Sequence, residues 1–305
     1  LLALPGKSGE TVGTYLEGSS PENWRAFKEG GTQDTTECDG SSVCTYQAGN
    51  GFWVLAKNPW DVSRETIEGV SLSSSTTYAI DLNEGWNIIS NPYDLDVSWT
   101  AVQRANGVLN EPLWTWEGGW SEGSTMTSAT EGAAYYFHSA EGGQLSIPYP
   151  GARDSTFSSQ RKAEKNVRAE GEEISPRLTL TLRQRQQRVS TLELGRMEGA
   201  EQGLDEHDQI APPAYFQPAA LRALSGGTLE PPRLRAEYRP RSKTNHAYEV
   251  LLQGQSEEAV ILQARGMSSF KNEEIVLVEN ETVRSHDLRQ DSTVSLSVKE
   301  NQRLT

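Results

Sequence analysis

The chain has 305 residues, enough for two domains that each bury a core. It carries 28 Lys and Arg against 42 Asp and Glu, a formal net charge of −14, which sets it against nucleic acid and against anionic membrane surfaces. No stretch approaches the roughly 20 apolar residues of a membrane span, so no membrane insertion is expected.

The charge is uneven. Residues 1–150 hold 6 Lys and Arg against 19 Asp and Glu, a formal −13, whereas the remainder holds 22 against 23. All eight tryptophans lie between Trp24 and Trp120. Two compositions in one chain predict two independent cores. Lysine is scarce, 8 residues against 20 arginines. Excess carboxylate with little lysine fits a salt-rich medium, where screening acts within roughly 8 Å or less, and it fits an ordinary acidic secreted protein equally well.

The start, Leu1-Leu-Ala-Leu4-Pro5, is too short for a signal core, and the end at Leu304-Thr305 breaks off in a strand-like stretch. A fragment of a longer polypeptide is expected, with targeting signals outside it. Cys38 and Cys44 flank Asp39-Gly40-Ser41-Ser42-Val43, and Asp-Gly is a turn former that brings two sulfurs across a small loop. A disulfide is the favoured reading, ahead of free thiols and of a metal site, which needs four ligands at metal spacing. A disulfide implies an oxidising, extracytoplasmic setting.

The N-terminal half reads as a duplication. Trp24 and the following Gly30-Gly31 have counterparts in Trp114 and Gly118-Gly119, 90 and 88 positions on. Gly49-Asn-Gly51-Phe52-Trp53-Val54 has one in Gly132-Ala-Ala134-Tyr135-Tyr136-Phe137, 83 positions on. The Cys loop lengthens the first copy. Between the copies, Tyr78-Ala-Ile80-Asp-Leu82 alternates at period two, and Gly85-Trp86-Asn87-Ile88-Ile89-Ser90 is a second strand that Asn91-Pro92 ends. With Asn83-Glu84-Gly85 as the turn, the pair is expected to form a β-hairpin at the middle of the domain. Asp96 to Ala105 is the one helix candidate of this half, two turns ended by Asn106-Gly107. Gln144 to Pro150 reads as an edge strand.

Residues 152–173 are polar and charged and read as a linker. Alternation then resumes in Leu178-Thr-Leu180-Thr-Leu182 and Val189 to Leu194. It continues in strands at 234–238, 248–252, 259–262, 275–278 and 293–298, after an irregular stretch from Ala200 to Pro213. The fold expected is all-β: a duplicated, Trp-rich β-domain over 1–151, then an antiparallel β-sandwich over 174–305.

Trp24, Gly51-Phe52-Trp53-Val54, Gly85-Trp86-Asn87-Ile88-Ile89-Ser90-Asn91-Pro92-Tyr93 and Val97-Ser98-Trp99 together resemble a recurrent module of large secreted bacterial surface proteins of the type IX-secreted kind. Leu194-Gly195, Gly203-Leu204-Asp205, Pro212-Pro213 and Asp287-Leu288-Arg289 are similar to a sandwich region near the end of such chains. The resemblance implies secretion, a modular role at the cell surface and no catalysis; it carries no activity.

Catalytic signatures are lacking: no Gly-x-Ser-x-Gly elbow, His-Glu-x-x-His pair, phosphate loop or dinucleotide fingerprint occurs. His138, His207, His246 and His286 are scattered, and His138 reads as a strand-end residue. Two acidic loops, Asp94-Leu-Asp96 and Asp205-Glu206-His207-Asp208, offer oxygens for calcium, although turn capping by aspartate is the simpler reading. Trp60, Trp114, Trp116 and Trp120 are the aromatic candidates for stacking on a glycan or docking a protein, against a plain core role. The function expected is therefore a non-catalytic structural or interaction fragment of a secreted surface protein, with a cell-surface protein or glycan as partner. A carbohydrate-binding module is the alternative, and a glycoside hydrolase fragment with two facing carboxylates comes third.

Overall fold

A computed structural model describes residues 24–30, 33–37, 48–56, 77–107, 109, 111–150, 176–185, 187–214, 217–226, 231–241, 245–254, 259–271, 273–298 and 301–305. Cys38, Cys44, Trp60 and the segment 152–173 lie outside the described residues. The chain divides into two compact units, Leu1–Trp116 with Ser121–Ala169, and Glu117–Trp120 with Glu170–Thr305. Among the described residues both are built almost wholly of β-strands, as the alternation predicts.

In the first unit, β1 (Trp24–Gly30), β2 (Gln33–Glu37) and β3 (Trp53–Ala56) form an antiparallel sheet in the order β2-β1-β3. Then come β4 (Tyr78–Leu82), β5 (Gly85–Ser90), β6 (Val97–Ser98) and the helix α1 (Trp99–Ala105). After these follow β7 (Leu113–Trp116), β8 (Trp120–Gly123), β9 (Thr125–Met126), β10 (Ala134–Ser139) and β11 (Gly143–Ile147). A four-stranded sheet runs β5-β10-β7-β8, while β4 pairs with β11 and β6 with β9. The helix matches its expected length: Asn106 is its C-cap and Gly107 follows at φ 78°.

The expected hairpin of Tyr78–Leu82 with Gly85–Ser90 does not form. Both strands exist, but β4 pairs with β11 and β5 with β10. Each pair of neighbours in sequence behaves as one bent strand, and the two bend together. Ser139 stands opposite Gly85 and Gly143 opposite Leu82. Three residues (140–142) therefore face two (83–84), a one-residue excess of the kind that turns a ladder through a corner. Gly142, at φ 73°, closes on the opposite backbone, where a Cβ would sit 3.1 Å from Glu84 N and Leu82 O. Asn87 fixes the other side of the corner. Its Oδ1 accepts from Asn83 N at 2.9 Å, and its Nδ2 donates to Asn83 O and Gly85 O. The Asn-Glu-Gly signal is real, but it makes a bend and not a reversal.

β5 nevertheless holds a central place. One edge pairs with β10 along its whole length. On the other edge Asn50 bridges Ile89, Gly51 N donates to Ile88 O at 3.2 Å, and Ser90 N donates to Gly49 O at 2.6 Å. Gly51 is required to be small there, since a Cβ would fall 2.5 Å from Ala134 Cβ and 2.6 Å from Ile88 Cγ2. The orders β2-β1-β3 and β8-β7-β10 thus flank β5 with the same succession of strands. Their registers differ: Trp114 faces Tyr136, whereas Trp24 faces Ala56, three positions beyond Trp53. One face of the four-stranded sheet packs Ile89, Leu113, Tyr135 and Phe137 on Trp99 and Val102 of α1 and on Leu145 and Ile147 of β11.

The second unit contains β12 (Arg177–Gln184), β13 (Gln187–Met197), β14 (Gln209–Ile210), β15 (Ala219–Leu224), β16 (Arg233–Pro240) and β17 (Val250–Gly254). Five more strands complete it: β18 (Ala259–Arg265), β19 (Val276–Glu279), β20 (Arg284–Asp287), β21 (Thr293–Ser297) and β22 (Gln302–Leu304). They form one ladder, β20-β19-β22-β17-β15-β16-β13-β12-β18-β21, with β14 added on β16. Alternate residues such as Leu178, Leu180, Leu192, Leu221, Leu252 and Leu296 turn into one core. The ladder curls over that core: a Cβ on Gly254, at the end of β17, would meet Val298 Cγ1 at 2.3 Å, just past β21. The sheet is mixed and not wholly antiparallel, because β13 and β16 run parallel. A parallel neighbour needs a long crossover, and the chain between Met197 and Arg233 supplies it.

Candidate functional site

Trp114 and Trp116 fall on the second face of the four-stranded first-unit sheet. Trp114 stands opposite Tyr136, and both are enclosed, at 1% and 0% exposure. Trp53 reaches in from β3: its indole N–H donates to the Tyr136 hydroxyl at 2.5 Å, and its ring lies edge-on to Trp116 with centroids 5.5 Å apart. Trp86 continues the row, 5.9 Å from Tyr136 and 5.0 Å from His138. This is an aromatic core in which each ring's neighbour is another ring. Trp114 is part of it, and Trp116 is half-buried at its border. Trp120 is half-buried at the start of β8, with its indole N–H donating to Pro213 O at 2.7 Å within the second unit. Trp114, Trp116 and Trp120 therefore present no flat row of three free rings.

His138 lies on the same face. Burial pushes its imidazole pKa down, and its Nδ1 has no hydrogen-bond partner among the described residues. A general base needs a group that orients it and a proton within reach.

The acidic loops are engaged locally. Asp94 and Asp96 are exposed after the end of β5, and Asp96 Oδ1 accepts from Ser128 N at 2.9 Å. Asp205 accepts from His207 N and Glu201 N, at 2.8 and 2.5 Å. Asp208 Oδ1 accepts from Tyr238 N at 2.8 Å, and so supplies a ladder bond to β16 just before β14 begins. Burial raises the Asp208 pKa to about 6, against the pull of those N–H groups. Among the described residues no three His, Cys, Asp or Glu side chains gather as a metal would need.

Period-two reading passes over a concavity among the described residues. A cavity of about 680 Å³ opens within the second unit. Leu178, Leu180, Leu194, Val250, Leu277 and Leu288 form its apolar wall, and Arg196, Tyr248, Phe270 and Glu273 stand around it. β13 places Arg196 in phase with Leu192 and Leu194, so a cation occupies an inward position of the strand. Arg196 is 8% exposed. Its Nη2 donates to Glu273 Oε1 at 2.5 Å, and its guanidinium lies 5.4 Å from the centre of the Phe270 ring. Tyr248 donates its hydroxyl to Gly195 O at 2.5 Å, under the Arg239 guanidinium at 4.6 Å. Burial raises the Tyr248 pKa, so the phenol stays protonated.

Two further buried charges hold the unit together. Glu237, 1% exposed, receives Arg239 through Nε and Nη2 on one oxygen, at 2.9 and 2.8 Å, while burial pushes its pKa up. Arg222 is buried in β15 and donates to Ser190 Oγ, Leu221 O, Pro212 O and Gln217 Oε1 at 2.9–3.2 Å. Four neutral acceptors satisfy it without an ion pair among the described residues, which marks a structural clamp. β15 escaped the sequence reading because all six of its residues are buried, so no alternation is written in it.

No protein-family model matches the chain, no curated protein matches it, and no solved structure matches it.

Proposed function

We infer that this chain is a non-catalytic structural or interaction part of a secreted, cell-surface protein, in keeping with the resemblance of its Gly85–Tyr93 stretch to modules of such proteins. The observation that carries the reading is the fate of the most reactive-looking side chains. Trp53, Trp99 and Trp114 lie in the interior at 3%, 4% and 1% exposure. Asp96, Asp205 and Asp208 hold backbone N–H groups. Of the side chains that read as candidate ligand contacts in the sequence, Trp114 is enclosed and these three aspartates bond backbone, which favours a structural role. The glycan-binding alternative keeps only Trp116 and Trp120 among the described residues, both half-buried. We propose further that Cys38 and Cys44 are bridged, as an extracytoplasmic protein allows.

The test is a panel of soluble and insoluble polysaccharides assayed for binding and for hydrolysis, with alkylation and mass measurement of the non-reduced chain. The expected result is neither turnover nor saturable binding, and no alkylated cysteine. Hydrolysis, or glycan binding lost in Trp116→Ala, would overturn the non-catalytic structural reading in favour of an enzyme or a lectin-like module.

A further inference from the structure

We propose that the cavity of the second unit is a binding site for an uncharged amphiphile, an apolar chain that carries an ester or amide carbonyl. The proposal stands apart from the surface-protein reading and rests on the cavity alone. Its volume, about 680 Å³, lies within the roughly 300–1,000 Å³ range of small-molecule sites. Its wall of leucine and valine side chains suits a hydrocarbon chain.

The head-group preference comes from Arg196. A guanidinium has five N–H donors. Only Nη2 of Arg196 has a side-chain acceptor, Glu273. Nε is enclosed without a hydrogen-bond partner and lies out of reach of a bound molecule, whereas Nη1 is not sealed and has no hydrogen-bond partner among the described residues. A donor without a protein acceptor in the lining of an apolar cavity favours a molecule that brings an acceptor. The acceptor should carry no negative charge. The positive charge of Arg196 is already matched by Glu273, and Glu274 adds a further carboxylate to the lining. A carboxylate head would meet that excess, whereas a neutral carbonyl oxygen would not. Phe270, whose ring centre lies 5.4 Å from the guanidinium, helps to hold the donor in place.

The experiment is saturation-transfer NMR on the whole chain with methyl octanoate and with octanoate at pH 7. Methyl octanoate is expected to bind at least tenfold more tightly than octanoate. Arg196→Met should weaken ester binding by roughly three- to tenfold, the worth of one hydrogen bond. Ala247→Trp, at an exposed position of the cavity lining, should abolish it without disturbing the fold. The proposal fails if the ester shows no transfer, if octanoate binds as tightly, or if either folded variant leaves the ester affinity unchanged.

Discussion

Asn91→Asp replaces one atom, and it should cost the first unit several kcal/mol. Asn91 is 2% exposed at the end of β5. Its Nδ2 donates towards Leu95 O, Met126 O and Thr127 O at 2.8, 3.0 and 3.0 Å, and its Oδ1 accepts from Tyr93 N at 3.0 Å. The amide has two hydrogens, so three carbonyls share about two bonds, worth about 2 kcal/mol together. A carboxylate keeps the bond from Tyr93 but turns an oxygen towards three oxygens. An unpaired buried charge adds at least a similar cost, so the total is about 4 kcal/mol at neutral pH. The variant can relieve this by taking up a proton, because burial raises the pKa of the new carboxyl above the free value of about 3.9. A group whose folded pKa is raised gives stability at low pH that is lost as pH rises through that pKa. The gap to the parent should therefore narrow from pH 7.5 to pH 5.5. Urea unfolding followed by tryptophan fluorescence reads mainly the first unit, since seven of the eight tryptophans belong to it. A midpoint equal to the parent's at pH 7.5, or a gap that does not change with pH, would refute the assigned bonding of Asn91.

Trp114→Ala should destabilise the same unit by about 3–5 kcal/mol, since the ring is 1% exposed; the same urea assay measures it. Gly51→Ala should cost about 1–3 kcal/mol by overpacking against Ala134 and Ile88. Adding Ala134→Gly should return part of it in a double-mutant cycle, and strict additivity would mean that the two do not touch. Asp208 has a folded pKa of about 6 against 3.8 for the free group, so its contribution is fully present below 3.8 and is lost as pH rises through 6. Asp208→Asn, which keeps an acceptor for Tyr238 N, should gain on the parent in thermal melts as pH rises from 4 to 6 and run level with pH above 7.

Strand identity was legible in this chain because a half-buried strand writes its two faces into alternate residues. Leu178, Leu180 and Leu182 face the core as their spacing demands, and Asn106-Gly107 ends α1 where the last carbonyls need a cap. What alternation could not give is the partner. Backbone N–H and C=O groups are the same in every residue, so the ladder from β4 to β11, and not to β5, follows from the corner at Gly85 and Gly142 and from packing on both sides of it. The fate of the tryptophans was hidden for a similar reason. A strand buried on both faces carries aromatics that read alike as a core and as an exposed stacking face, until Trp53 of a distant strand is seen against Trp116 and Tyr136. Arg196 left a faint trace, a charge in the inward phase of β13, but its meaning required Glu273 and Phe270 from 70 or more residues away. Sequence by itself determined which alternating segments are strands and that they have a wet and a dry side. Tertiary structure alone decided which strands meet and which polar groups are sealed in, because those outcomes depend on contacts between residues far apart in the chain.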